Sequence, residues 1–230
     1  ILLGSLLGVL LGHRLPEKMS RTLTDAMGLV VLVIGALNLG ELANAEFASA
    51  TKPFPSILVG LASLLIGGVI GSLLQIEQRL EEFGSWLQKR SSASGDREKF
   101  IQGFVNASLL FTIGPMAVLG SLRDGLGQGF EILGLKSTLD GFPSVAFSAT
   151  MGWGVAFSAI PVGIWQGALT LIALAAGSVL STALVASITA TGGILLLGTG
   201  LRLMNIRMVA VADLLPALVI APVLTLLLSL

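Results

Sequence analysis

The chain has 230 residues, of which 54% are hydrophobic and only 11% charged, with a mean hydropathy of +0.94. A soluble domain carries roughly 25% charge, so this composition excludes most soluble classes, and 29 glycines point to helices packing closely in lipid. Equal numbers of acidic and basic residues leave no basic footprint for nucleic acid, while zero cysteines and a single histidine, His13, exclude a disulfide framework, a thiolate nucleophile and a His-rich metal site.

The first apolar stretch, residues 2–12, would reach only about 18 Å as a helix, short of the roughly 30 Å hydrocarbon layer. Because the chain starts at Ile1 and not at Met, further native residues are expected before it. A signal peptide is the alternative, but no basic segment precedes the stretch and no A-x-A site precedes the charged turn from His13 to Lys18. Gly4, Gly8 and Gly12 form a doubled G-x-x-x-G, the spacing that lets helix backbones touch. Spans follow at 25–43 and 54–76, the second with Gly67 and Gly71 at the same spacing. From Glu77 to Lys99, ten charges fall in 23 residues. Ile76, Leu80, Phe83 and Leu87 recur there at helical spacing. The third span's helix is therefore expected to run on as an amphipathic stretch on the membrane surface, with Trp86 as an interfacial anchor and a break at Ser91–Gly95; a solvated linker is the alternative.

The fourth span, 100–122, is the least lipid-like, with Asn106, Ser108, Thr112 and Gly114-Pro115. Ser108 and Thr112 share a helix face, and Pro115 removes one backbone bond and frees the carbonyl of Phe111 near mid-span. At membrane depth that carbonyl needs water, a neighbouring hydroxyl, a cation or a substrate. Beyond it lie Arg123, Asp124, Glu131, Lys136 and Asp140, between apolar spans, where ionisable residues facing a cavity are candidates for function. The segment reads either as an outer loop in water or, preferred for its apolar Phe130, Ile132, Leu133, Leu135 and Leu139, as a half-helix or re-entrant element packed on the bundle. Gly129 to Ser137 nearly spells a P-loop, but Leu135 is inserted before Lys136 and no strand precedes it, so nucleotide binding is not expected. G-x-S-x-G and H-E-x-x-H are absent, and no enzyme activity, cofactor or metal is expected.

Between Asp140 and Arg202 runs a charge-free stretch of 61 residues, which only a membrane interior explains. It holds three helices (144–160, 162–180 and 185–203) or two, giving eight spans or seven. With eight, one side of the membrane collects ten Lys or Arg against three; with seven, eight against five. The positive-inside rule prefers the first, placing 77–99 in the cytoplasm and both termini outside. Ser148, Thr150 and Ser158 lead to Pro161, which either bounds the fifth span or, if the helix continues, frees the carbonyl of Phe157 as a second helix break. Gln166 is an amide in an apolar run and needs a partner. Gly163 and Gly167 repeat the small-residue spacing, Arg202 and Arg207 read as cytoplasmic anchors, and Asp213 before Pro216 reads as a helix start of the last span, 208–230.

At an offset of 165 residues Gly12, Gly28 and Gly35 align with Gly177, Gly193 and Gly200. In an eight-span topology the first three and last three helices run in opposite senses, as an inverted repeat requires. The chain thus divides into an N-terminal three-helix repeat (1–76), a charged segment (77–99), a central broken-helix segment (100–165) and a C-terminal repeat (166–230).

The run Phe104 to Ser121, with its Thr112-Ile113-Gly114-Pro115 centre, resembles the signature of the YqgA-like bacterial membrane proteins of unknown function (DUF554). Asp124-Gly125, Lys136-Ser137, Leu139-Asp140-Gly141, Ser158 to Val162 and Gln166-Gly167 are similar too. Thr112 stands where many relatives are expected to carry Cys. The resemblance covers essentially the whole chain and implies a multi-pass inner-membrane protein, without implying a substrate.

The expectation is an all-α, polytopic helix bundle of seven or eight transmembrane helices that passes a small solute or ion. Asn106, Ser108, Phe111, Thr112, Gly114, Pro115, Ser148, Ser158 and Gln166 would line the midplane site, with Arg123, Asp124, Lys136 and Asp140 as a gate or ion-pair cluster. The alternative is a non-transporting scaffold or regulator. The partners expected are the lipid bilayer and the solute or ion, with homo-oligomerisation through the glycine faces left open.

Overall fold

Every regular element among the described residues is a helix, the form that satisfies backbone groups without water in a chain this apolar. The computed structural model describes residues 1–12, 16–91, 96–176 and 181–229. The helices are α1 (Leu2–Gly12), α2 (Glu17–Asn38), α3 (Ala45–Ala50), α4 (Ser56–Leu73), α5 (Ile76–Ser91), α6 (Arg97–Ile113), α7 (Pro115–Gly125), α8 (Glu131–Met151), α9 (Gly154–Phe157), α10 (Ala159–Ala176), α11 (Thr182–Leu203) and α12 (Ala217–Leu228), with 3-10 turns at Leu39–Ala43 and Ala212–Leu214. Among the described residues, four segments are long and apolar enough to cross a membrane: Lys18–Ala43, Ser56–Leu73, Gly154–Ala175 and Thr182–Leu203. A fifth is added if α6 and α7, bent by 60° at their junction, count as one span, while Leu2–Gly12 and Ala212–Leu228 are apolar but shorter. Of the expected seven or eight spans, four or five thus meet the length and composition of a span by themselves. His13, Gly177 and the break expected over Ser92–Gly95 lie outside the described residues.

The middle of the bundle is α11, whose most apolar window is 72% buried against 17% for α2. It touches α2, α3, α4, α6, α7 and α12, and its small Ala183, Ala186, Ser187, Ala190, Thr191, Gly192 and Gly193 let those neighbours close in. Its antiparallel contact with α2 is made by glycines on both sides. A methyl group on Gly28 would lie 3.2 Å from the Gly200 carbonyl, and one on Gly200 3.0 Å from that of Gly28. For Gly35 and Gly193 the corresponding distances are 2.9 and 2.8 Å. Gly28 and Gly35, which align with Gly193 and Gly200 at the 165-residue offset, thus face them crosswise, Gly28 on Gly200 and Gly35 on Gly193. Gly4, Gly8 and Gly12 meet the backbone of α8 in parallel register, at Gly141, Val145 and Ala149, and Gly67 and Gly71 meet Ala217 and Asp213. Gly163 and Gly167 instead face open space.

Several local expectations are corrected. The helix of α4 does not run on into the charged segment: Gln75 takes φ 53 and α5 begins afresh at Ile76, a left-handed residue being incompatible with helix continuation. The charged segment is not a bare linker: α5 buries Gly84 and Leu87 and packs on α6. Trp86 is 51% exposed and stacks on Phe83. Pro115 does not kink one helix; it opens a new one, with Gly114 extended (φ −60, ψ 141) between α6 and α7, because the first helical turn is where a missing N–H costs nothing. The expected fifth span is displaced. Its helix, α8, begins at Glu131, carries Lys136, Asp140 and Pro143 inside it, and ends at Gly152, whose φ of 76 and ψ of −154 only glycine adopts readily. Of the packed element expected between the fourth and fifth spans, Glu131 to Pro143 form the first half of this long helix, while Arg123 and Asp124 end α7. Pro161 sits in the first turn of α10 but inside the span Gly154–Ala175, so the boundary falls at Gly152 and not at Pro161. The last span is shorter than 208–230, because 206–210 is not helical and α12 starts at Ala217.

Candidate functional site

One end of the bundle gathers most of the charge. Met151 at the end of α8 packs on Gly103 of α6, the start of α2 lies beside the end of α11, and between these four helices opens a cavity of about 400 Å³. The helical repeat explains its walls: α2 presents Ser20 and Thr24, Arg21 and Asp25, each pair four apart, and α6 presents Lys99, Gln102 and Asn106 on one face. Thr150 and Met151 come from α8, and Arg202, Leu203, Asn205 and Met208 from the end of α11 and the turn after it. Asn205 holds φ 54, a conformation asparagine tolerates, and so ends α11 at the cavity rim. Asn106 forms the inner wall. It is 4% exposed, and its Oδ1 is buried without a hydrogen-bond partner. Seven residues separate it from Lys99, placing it about 10 Å deeper along α6.

Arg202 belongs to a clasp that closes this end from the side. Its guanidinium pairs with the Glu77 carboxylate and lies 3.5 Å from Glu81. Glu77 also accepts the Ala212 N–H at 2.8 Å, while Asp213 accepts the Glu77 N–H at 2.8 Å. The first turns of α5 and of the 3-10 segment before α12 are thereby capped by each other's carboxylates. Asp213 does lie at a helix start, but it caps α5 and not its own turn. Arg202, read from sequence as an interfacial anchor, is 6% exposed inside the protein.

Of the residues expected to line a site, Asn106 alone is on the cavity wall. Ser108 is buried and donates to the Phe104 carbonyl at 2.6 Å, and Ser158 to that of Val155 at 2.7 Å, so both hydroxyls serve their own helix turns. Phe111 is in the main apolar core and Thr112 is buried beside it. Gly114 and Pro115 form the α6–α7 break, with open space at Gly114. Ser148 is buried against α1 with no partner for its Oγ, and the buried Gln166 Nε2 likewise lacks one. The expected gate divides. Lys136, 6% exposed, pairs with Asp140 one turn on within α8, whereas Arg123 and Asp124 are exposed at the end of α7, outside that pair. Sequence reasoning missed the cavity's Arg21, Thr24, Asp25, Lys99, Gln102 and Thr150. The available signal was the pair of i, i+4 polar steps at the start of α2, which were assigned to a turn.

Residues 1–226 match the family model described as "Protein of unknown function (DUF554)". Among curated proteins, the chain is 31% identical to "Uncharacterized membrane protein YdfK" of Bacillus subtilis (strain 168), over 97% of this chain and 90% of that protein. It is 32% identical to "Uncharacterized protein YqgA" of Escherichia coli (strain K12), over 96% of this chain and 90% of that protein. No solved structure matches it.

Proposed function

The chain belongs to the DUF554 family of proteins of unknown function, and on that premise we propose that it is a multi-pass protein of the bacterial inner membrane that passes a small solute or ion. The cavity at the charged end would be its cytoplasmic mouth. The observation that carries the reading is the cavity itself. It is polar-lined, about 400 Å³, and reaches the buried Asn106, in the helix that breaks about two turns further on at Gly114. A scaffold needs no such inlet, and the Gly4, Gly8, Gly12 and Gly67, Gly71 faces on which a scaffold would rely are engaged within the chain.

The reciprocal glycine contact of α2 and α11 supports an inverted repeat about an axis between them. Under that relation Arg21, Thr24 and Asp25 correspond to Ala186, Thr189 and Ala190 on the opposite side. Those three are 2%, 8% and 1% exposed, and Ala186 and Ala190 pack in one apolar cluster with Phe47 of α3. The arrangement is open at one mouth and shut at its counterpart, as a carrier facing the cytoplasm would be. Because the chain contains no cysteine, introduced thiols report position cleanly. Thr24→Cys and Thr150→Cys are expected to react with a membrane-impermeant maleimide applied from the cytoplasmic side, and Thr189→Cys from neither side. Labelling of Thr24→Cys from the outside alone would reverse the orientation, and labelling of Thr189→Cys from outside would refute the closed face.

A further inference from the structure

We infer that the middle of the bundle holds a binding site for a monovalent alkali cation, built on the break between α6 and α7, on Thr191 of α11 and on α12. It uses residues apart from the charged-end cavity and stands without the reading above. The break leaves carbonyls short of donors. Pro115 has no N–H to return to Phe111, and the Ala117 N–H goes to the Gly114 carbonyl at 3.0 Å. The carbonyls of Phe111 and Ile113 therefore both lack the donor four residues on. That of Ile113 faces α11: a methyl group on Gly192 would lie 3.0 Å from its oxygen and 3.6 Å from Leu218 Cδ2. The Leu218 carbonyl lacks its donor too, because Pro222 stands inside α12 one turn on. Gly192 is halfway along Thr182–Leu203, so the three carbonyls meet the most buried helix at its midpoint.

Thr191 is the independent observation. It is 1% exposed, and its Oγ1 is buried without a partner among the described residues. The other buried hydroxyls of α11, those of Ser187, Thr189 and Thr199, each donate to a carbonyl of their own helix, at 2.8, 2.8 and 3.0 Å. Thr191 makes no such bond, so its hydroxyl is turned away from its own backbone. Ile188 and Leu195, one turn to either side, share the main core with Ile113 and Leu218, which puts Thr191 on the face that meets the break. Carbonyl and hydroxyl oxygens without donors at membrane depth call for a positive ligand. Residues 100–122, 182–201 and 214–229, which build this junction, carry no charged side chain. A divalent ion would find no carboxylate to balance it, whereas carbonyl oxygens replace the water shell of a singly charged one. The negative end of the α6 dipole points at the same place, and Pro115 leaves the start of α7 with one N–H fewer to oppose it.

The test is thermal stability of the full chain in detergent with sodium, potassium or N-methylglucamine chloride at equal ionic strength. Sodium or potassium is expected to raise the melting temperature saturably, by about 3 °C over the bulky organic cation, and the more effective of the two identifies the ion. Thr191→Val keeps the shape and removes the oxygen. It is expected to abolish the shift, yet to melt no lower than the parent in N-methylglucamine, because it deletes an unpaired buried hydroxyl. Thr191→Ser, which restores a hydroxyl, and Thr199→Val, which removes one bonded to its own helix, are expected to keep the shift. Gly192→Ala, which presses on the Ile113 carbonyl, is expected to raise the half-saturating cation concentration about tenfold. A parent that melts alike in all three salts would show that water alone fills the junction and would overturn the inference. So would a shift that survives in Thr191→Val, or a half-saturating concentration unchanged in Gly192→Ala, since either would place the cation elsewhere.

Discussion

Arg202→Ala is expected to destabilise the protein by about 3–5 kcal/mol, the usual cost of removing one partner of a buried ion pair. The magnitude follows from what remains. Glu77, whose side chain is 14% exposed, would keep its charge and its bond to the Ala212 N–H but lose its counter-ion. The reciprocal capping that ties α5 to the segment before α12 would then be anchored by an unneutralised carboxylate. For a chain of this size the loss corresponds to a fall in melting temperature of roughly 10 °C, read by detergent-solubilised thermal denaturation. Glu77→Gln is expected to cost less, because its one amide oxygen still accepts from the Ala212 N–H or from the guanidinium, and Arg202 keeps Glu81 at 3.5 Å as a counter-ion. The double variant is expected to be more stable than the sum of the singles, the mark of a coupled pair. Strict additivity would show that the two residues act independently and that the clasp is not a unit.

Gly8→Val is expected to separate α1 from α8, at about 3 kcal/mol or more, the upper end of overpacking costs. A Cβ there would run into the Val145 carbonyl and lie 2.8 Å from Ser148 Cβ and 3.0 Å from Ala149 N. Two of these three obstacles are backbone, so no rotamer change relieves them. Gly163→Val supplies the internal comparison, since nothing lies within 4 Å of a Cβ at that position. Its melting temperature is expected to stay within about 1 °C of the parent. Equal destabilisation by both would mean that the cost comes from helix propensity or lipid contact and not from the α1–α8 seam.

These two glycines also show how far the sequence could be read. Both sit in G-x-x-x-G spacing, and spacing alone cannot tell a seam between helices from a stripe left open. Only the partner decides, and partners are chosen at long range. What local chemistry controls was legible: the membrane character, the gathering of charge at one end and a helix break at Gly114-Pro115. The start of α8 was not, because Lys136 and Asp140 were expected in a gate or ion-pair cluster with Arg123 and Asp124, whereas they pair with each other one turn apart inside one long helix. Nor was the clasp, since Glu77 and Arg202 are 125 residues apart and each alone resembles an ordinary interfacial charge. Of the residues expected to line a site, Asn106 alone reaches the cavity. The polar face that meets Asn106 comes from Ser20 to Asp25 and from Thr150, not from Ser108, Thr112 and Ser158, whose buried hydroxyls of Ser108 and Ser158 serve the backbone of their own helices.

The central claim is that a solute path enters through the cavity beside Asn106, and the most direct measurement is solute flux in proteoliposomes carrying the single-cysteine variant Thr150→Cys. Flux above that of protein-free vesicles is expected before modification. It is expected to be lost when a bulky, membrane-impermeant thiol reagent reaches the cavity side, and to persist when the same reagent is confined to the opposite side. Flux that survives complete modification of Thr150→Cys, or that never exceeds the protein-free rate for any solute offered, would contradict the account.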